Sequence, residues 1–395
     1  MSISVIFLSQ DKLLTSKRDS LKPIPEHHTK IMTKKILILS NNCGGLVSFR
    51  REVFEALICE GHSLTVAAPE DYKTDILTDI GCEFIKTEFN RQGTNPLADI
   101  FLTYKYIKLI RRLKPDVVLT YTIKPNLYGG MACRLTGKPQ LANITGLGVA
   151  TEHPGFLRSL TFVLYKLGLR RAKRVFFQNK ENMDFCLRHQ LVKGPSTLIP
   201  GSGVNLERFH VQPYPADGII RFVYIGRVQK RKGIEQYLKA AEIIKERYPD
   251  TEFHILGRCE DMRYQATLDA LSEQGIIINH GLVKDTRPYL ADIHCTVHPS
   301  FYPEGMSNVL LESCATGRPI ITTDKAGCKE IVDEGKNGFI VRQQDTDDLI
   351  EKIEQFIRLP YAKKEEMGRY ARSKVENEFS RELVINAYLE EINKI

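Results

Sequence analysis

The chain has 395 residues, 42% hydrophobic and 26% charged, with a formal net charge of +8. That length favours two domains, the balance is that of a globular rather than a disordered or fibrous protein, and no apolar run reaches the roughly 18–20 residues of a membrane span. The mild positive excess suits phosphorylated substrates, an anionic membrane surface or nucleic acid, and nine cysteines scattered without a Cys-x-x-Cys pair point to a reduced, cytosolic chain with no structural zinc.

Residues 1–32 read apart from the rest. A brief apolar run, Ile3 to Leu8, precedes Lys17, Arg18 and Lys22, the wrong order for a signal peptide. This stretch is expected to be a disordered or mis-called extension, with Met32 the start. From Lys35 onward, apolar β-branched runs alternate with helix-length amphipathic stretches. Strands are predicted at Lys35–Ser40, Ser63–Ala67, Cys82–Lys86, Asp116–Thr120, Gln140–Ile144, Arg174–Phe177 and Thr197–Ile199. Helices are predicted at Leu46–Glu60, Leu97–Leu113 and Leu157–Arg171. This βαβ rhythm predicts a parallel sheet covered on both faces, an N-terminal domain over 33–200.

Three loops in this half carry candidate chemistry. The turn after the first strand, Ser40 to Gly45, lacks Gly-x-Gly-x-x-Gly and any Gly-Lys-Ser/Thr, so neither a dinucleotide fingerprint nor a P-loop is present. Its Gly44 and Gly45 still allow close backbone approach to a ligand, or simply make a tight turn. The strand Asp116–Thr120 runs into Tyr121-Thr122-Ile123-Lys124-Pro125-Asn126, which places Lys124 where open α/β sheets bind ligands. Lys124 there can meet an acceptor phosphate or stay solvated. The strand Gln140–Ile144 ends in Thr145-Gly146-Leu147-Gly148, with His153 beyond. The stretch Arg158 to Arg174 mixes apolar residues with Lys166, Arg170, Arg171 and Lys173, and Tyr104–Lys114 is similar. Each reads as a basic amphipathic helix able to lie on anionic lipid, or as a core helix with a solvated face.

A break in composition over Pro200–Gly218 separates a second βα series, the C-terminal domain over 201–375. Strands are predicted at Arg221–Ile225, Glu252–Leu256, Ile276–Asn279, His294–Val297, Pro319–Thr322 and Gly338–Val341. Helices are predicted at Ile234–Arg247, Met262–Gln274, Ser307–Thr316, Asp345–Arg358 and Glu365–Asn393. Two cations, Arg227 and Lys232, follow the first of these strands and precede a helix, a pattern able to clamp a pyrophosphate. The segment His298 to Ile340 is the densest in the chain. Its helix near Ser307 would turn the unpaired first-turn amides of Asn308 and Val309 outward, which suits a phosphate. Glu304 on the loop and Glu312 four residues after Asn308 flank that helix end. Carboxylates accept the paired hydroxyls of a sugar or ribose, so a nucleotide-sugar would meet all its needs here.

Glu304, Glu312, the Gly317-Arg318-Pro319 step, Gly327, Glu330 and the Asn337-Gly338 turn resemble the signature of the retaining glycosyltransferases of GT-B fold, family 4. Gly226-Arg227 with Lys232-Gly233 matches that family's Gly-Arg…Lys-Gly motif. Ile199 to Phe209 resembles its interdomain segment, with Asn205 where Asp is usual. Thr120 to Gly130 looks like the branch that builds bacterial surface glycans and lipid-linked oligosaccharides. The resemblance spans nearly all of 34–395. It implies two Rossmann-like domains with parallel sheets facing a cleft, the last helix (376–395) packing back on the first domain. It implies Glu304, Arg227 and Lys232 as catalytic residues, with no metal and no cofactor beyond a nucleotide-sugar co-substrate, expected to be a UDP-sugar. Donor binding would fall to Glu312, Asn308, Val309, Gly44, Gly45, Gly257 and Val283, and the acceptor side to Lys124, Thr145 and His153. Many relatives carry a His where this chain has Thr145, which makes backbone and substrate groups more important at the reaction centre.

The implied reaction is transfer of a hexosyl group, an N-acetylhexosaminyl group by the branch resemblance, to a lipid-diphosphate-linked or glycan acceptor. Peripheral contact with the inner face of an anionic membrane would fit, and nucleic acid would not, because the basic residues are spread through helices without aromatic interleaving. A UDP-sugar 2-epimerase of the same fold is an alternative, but it needs acid–base carboxylates on the first domain that the Thr145 region does not supply. A non-catalytic sugar-nucleotide-binding module is a second, disfavoured by the complete set Arg227, Lys232, Glu304 and Glu312.

Overall fold

The computed structural model describes residues 32–90, 95–148, 151, 154–216 and 218–395. The readings of residues 1–31 and of His153 lie outside the described residues. Seven strands, β1 (Lys35–Leu39), β2 (Ser63–Ala68), β3 (Glu83–Lys86), β4 (Val117–Tyr121), β5 (Gln140–Ile144), β6 (Arg174–Phe177) and β7 (Ser196–Leu198), form one sheet. Its order is β3-β2-β1-β4-β5-β6-β7 and every pairing is parallel. Six more strands, β8 (Ile220–Ile225), β9 (Thr251–Leu256), β10 (Ile278–Gly281), β11 (Cys295–His298), β12 (Ile320–Thr323) and β13 (Gly338–Val341), form the second, also parallel, in the order β10-β9-β8-β11-β12-β13.

The strands read as continuous apolar runs because both faces of each sheet are buried. Leu37 and Leu39 enter one core cluster while Ile36 and Ile38 enter the opposite one. In the second sheet Phe222 and Tyr224 face one cluster, and Val223 and Ile225 the other. Each sheet reverses its strand order once, between β1 and β4 and between β8 and β11. Such a reversal opens a crevice at the carboxyl ends of the strands. The loops that fill the two crevices are those the sequence marks as chemical: Ser40–Gly45 and Tyr121–Pro125 in the first, Gly226–Gly233 and Pro299–Ser307 in the second.

Most boundaries shift from the sequence reading by a residue or two, and two differences are larger. The first helix runs Cys43–Cys59, three residues earlier than expected, because Asn42 caps it by accepting from the Gly45 amide. Gly44 and Gly45 therefore lie in a helical first turn rather than a tight turn. The terminal helix expected over Glu365–Asn393 is two helices, Tyr361–Glu378 and Arg381–Asn393. Val204 of the interdomain segment donates to the Phe379 carbonyl at 2.8 Å and accepts from the Arg381 amide at 3.0 Å, and this pairing interrupts the helix. Gly203, at φ +66°, lies so close that a Cβ would fall 2.7 Å from Arg381 Cα. Arg381 also meets Glu52 at 2.6 Å, and Asn205 donates to the same carboxylate at 2.9 Å. Val384, Tyr388 and Ile392 of the last helix then complete a core cluster of the first sheet.

Candidate active site

The two crevices meet around a cavity of about 390 Å³. Its N-terminal wall includes Ser40, Gly45, Arg50, Thr122 and Thr145; its C-terminal wall is Tyr302 to Met306 with Asn308. The walls are held together through backbone. Asn179, the N-cap of the helix Lys180–Arg188, donates to the Gly305 carbonyl at 2.6 Å and the Glu304 carbonyl at 3.2 Å. A Cβ on Gly305 would fall 2.1 Å from Gln178 Oε1 and 2.7 Å from the Thr145 carbonyl, so only glycine fits there. Thr145 thus lines the cavity with its carbonyl against the loop that carries Glu304.

Lys232 and Glu304 form an ion pair at the edge of this wall, each side chain about 15% exposed. The pair exists because Gly233, at φ +77°, lets its loop press on the next: a Cβ there would lie 2.1 Å from the Pro299 carbonyl. Phe301 then donates to the Arg231 carbonyl at 3.0 Å. Burial pushes the Lys232 ammonium down to about 8, and Arg227 adds to that shift. Both cations gather over Tyr302, with Lys232 Nζ 5.3 Å and Arg227 Cζ 5.9 Å from the ring centroid. Arg227 itself is exposed and lines a neighbouring cavity of about 640 Å³ with Lys230, Arg231 and Arg258. His298, fully buried, places Nε2 4.0 Å from Glu304. Neither of its ring nitrogens has a hydrogen-bond partner, and burial together with Lys232 holds the imidazole well below its ordinary pKa, hence neutral.

The helix expected from Ser307 spans Asn308–Ala315, and its Ser307 cap makes no side-chain hydrogen bond to the first-turn amides. Those amides keep their positive end open toward the cleft. Asn308 also lines an adjoining cavity of about 420 Å³, together with Glu312, Arg208, Lys284, Asp285 and Arg381. Burial raises the Glu312 carboxyl to about 7, with Arg208 and Arg381 pulling the other way. One short helix therefore presents an anion-binding end to one cavity and a carboxylate to the next.

The remaining expected residues fall elsewhere. The Gly44 amide is already occupied by Asp71, which accepts from both Cys43 and Gly44 at 2.9 Å. Gly257 sits in the sheet end, its Cα so close to β8 that a Cβ would lie 1.7 Å from the Gly226 carbonyl. Val283 packs into a core cluster, one residue before Lys284. Lys124 does not line the cleft cavity: its ammonium pairs with Asp99 at 2.6 Å and lines a separate cavity of about 160 Å³.

Residues 35–179 match the family model described as "Glycosyl transferase 4-like", and residues 220–358 that of "Glycosyl transferases group 1". The lipopolysaccharide core biosynthesis glycosyltransferase LpsE of Rhizobium meliloti is 30% identical over 302 residues, 74% of this chain and 80% of the relative. The chain belongs to the family 4 glycosyltransferases of GT-B fold. The N,N'-diacetylbacillosaminyl-diphospho-undecaprenol alpha-1,3-N-acetylgalactosaminyltransferase of Campylobacter jejuni is 26% identical over 336 residues, 81% of this chain and 88% of that one. The solved structure of Anabaena Alr3699/HepE in complex with UDP shares the fold, with a TM-score of 0.76 at 17% identity, over 92% of this chain and all of that one.

Several site residues of this glycosyltransferase escaped the sequence reading. His298 stood in view only as the first residue of the segment His298–Ile340, and Tyr302 as an unremarked residue within it. Gln178 and Asn179 follow β6 and carry no local signal, because their partner loop lies more than a hundred residues away. Arg208 and Arg381 reach Glu312 only through the interdomain segment and the last helix.

Proposed function

We propose that this glycosyltransferase moves an N-acetylhexosaminyl group from a UDP-sugar to a lipid-diphosphate-linked sugar, with retention at the anomeric carbon. The observation that carries the reading is that Glu304, ion-paired to Lys232 just behind it, and Asn308 at the open end of the helix Asn308–Ala315 share one wall of a cavity whose other wall belongs to the first domain. The diphosphate rests against Lys232, Arg227 and the amides of Asn308 and Val309. Glu312 holds the ribose hydroxyls in the adjoining cavity, and Glu304 a hydroxyl of the transferred sugar. The bond from the anomeric carbon to the phosphate oxygen breaks, and its electron pair leaves with the diphosphate. The acceptor oxygen bonds that carbon from the same face, and its proton passes to the departing phosphate. The developing charge is met by fixed cations and amides, without a metal ion. The N-acetylgalactosaminyl transfer and undecaprenol-linked sugar in the name of the Campylobacter relative, and the UDP in the Anabaena complex, support these choices.

The test is a thermal-shift panel of UDP, GDP and ADP with their common sugar conjugates. UDP and one UDP-sugar are expected to raise the melting temperature, and Lys232→Ala and Glu312→Ala to abolish the rise. Stabilisation by GDP or ADP alone would overturn the donor assignment.

A lipid-linked acceptor requires approach to a bilayer, although no helix among the described residues is long and apolar enough to cross one. Leu97, Ile100 and Phe101 on one helix, and Phe156, Leu157, Leu160 and Val163 on another, are exposed apolar residues of the first domain. Exposed Lys105, Lys108, Arg111, Arg112 and Lys166 accompany them on the same two helices, and Arg170 and Arg171 follow at the end of the second. Apolar tips with basic flanks suit shallow insertion into anionic lipid. Sedimentation with phosphatidylglycerol vesicles is expected at low salt and lost in a Phe101→Ser, Phe156→Ser double variant. Equal sedimentation of that variant would remove this face from the reading.

A further inference from the structure

Thr122 follows β4 directly at the strand-order reversal of the first sheet, and its backbone stands at φ +71°. A β-branched residue in the left-handed region is strained, and such strain persists where the surroundings enforce it, often at binding sites. Its carbonyl accepts from Asn126 at 3.0 Å, starting the π-helical turn Pro125–Gly129. Its hydroxyl is buried, has no hydrogen-bond partner, and belongs to the wall of the cleft cavity. On the same wall lies Arg50, the single cation among the residues lining that cavity. Arg50 is 2% exposed. It spends Nη1 on the Phe49 carbonyl at 2.7 Å and lies 5.6 Å from the Tyr121 ring centroid. Its Nε is buried without a partner, and among the described residues no carboxylate pairs with it. A buried guanidinium that no carboxylate among the described residues neutralises and that otherwise meets only the Tyr121 and Tyr388 hydroxyls, on the same cavity wall as a buried hydroxyl lacking a partner, is costly unless a ligand completes both.

We infer that Arg50 and Thr122 form a subsite for a sugar bearing a phosphate on its anomeric oxygen, Arg50 taking the phosphate and Thr122 a sugar oxygen. The subsite deepens the proposed function, since it puts the acceptor opposite the donor wall of Glu304 and Asn308. The shared chemistry is a glycosyl phosphate, which a free sugar phosphate or a lipid-linked sugar diphosphate could supply.

The test measures binding of two probes, N-acetylglucosamine 1-phosphate and detergent-dispersed N-acetylglucosaminyl-diphospho-undecaprenol, in the presence of UDP. Wild type is expected to bind at least one. Thr122→Gly and Arg50→Leu should each weaken that binding by at least about tenfold, with UDP affinity unchanged and Arg50→Lys keeping part of it. Thr122→Gly should also melt no lower than wild type, because glycine relieves the left-handed backbone; if Arg50→Leu fails to fold, this variant decides. Preference for the lipid probe would mark the diphosphate as the recognised group, and equal binding the glycosyl phosphate alone; both support the subsite. Wild-type protein that holds neither probe, or variants that hold one as tightly as wild type, overturn it. A wild-type protein that ignores UDP would instead sink the donor reading, while dependence of probe binding on Arg50 and Thr122 would still stand.

Discussion

Lys232→Ala and Glu304→Ala are each expected to slow glycosyl transfer by about 10²–10³-fold, the scale on which a preorganised donor to a developing anion acts, about 2.7–4 kcal/mol. Lys232 is already in place before any ligand arrives, because Gly233 lets its loop rest on the Pro299 carbonyl and Glu304 holds its ammonium. A leaving diphosphate then meets a cation that needs no rearrangement. Removing the cation leaves Glu304 facing that negative charge, so the loss includes repulsion as well as missing attraction. Removing Glu304 frees the ammonium but discards the hydroxyl contact that orients the sugar. Glu304 lines the cavity and both side chains keep about 15% of their surface exposed, so near-UV circular dichroism should show an intact fold in either variant. Turnover at the wild-type rate in both variants would show that the reacting group sits elsewhere. A double variant should lose less than the two single losses combined, since the residues act as a unit.

Affinity for UDP is expected to be greatest between about pH 7 and 8 and to fall by about tenfold per pH unit on either side. The acid limb belongs to Glu312, whose carboxyl burial raises to about 7 and which must be ionised to accept both ribose hydroxyls. The alkaline limb belongs to Lys232, which burial lowers to about 8 and which must be charged to hold the diphosphate. The same shifts act on the free protein in the opposite sense. Glu312, raised in the fold, contributes stability at low pH that is lost as pH rises through about 7. Lys232, depressed from 10.5, contributes stability at high pH that is lost as pH falls through about 8. The unliganded cleft is therefore least favourable in the range where it binds best, a pattern common at binding sites. Titration calorimetry from pH 5.5 to 9.5 checks it. Glu312→Gln should flatten the acid limb alone, and an unchanged profile would remove Glu312 from the ribose.

Local sequence determined most of the architecture. Runs such as Ile36–Leu39 and Phe222–Ile225 are apolar throughout because both faces of a parallel strand are buried, and that pattern survives without knowledge of neighbours. The proposed clamp was legible for a related reason. Arg227, Lys232, Glu304, Asn308 and Glu312 lie in two short segments, each following a strand, so spacing alone puts them at the carboxyl edge of one sheet. What needed the tertiary structure involved groups far apart in the chain. Gly44 could meet a ligand or make a turn, and Lys124 could meet a phosphate or stay solvated; Asp71 on the Gly44 amide and Asp99 on the Lys124 ammonium are partners that neither local segment announces. The interruption of the last helix depends on Val204, a residue of the interdomain segment far away in the chain. Asn179 meets Gly305, and Arg50 and Thr122 share a wall, only because two strand-order reversals face each other. Hydrophobic periodicity is a property of each segment, whereas the partner of a hydrogen bond or a charge is chosen by the packing of all of them.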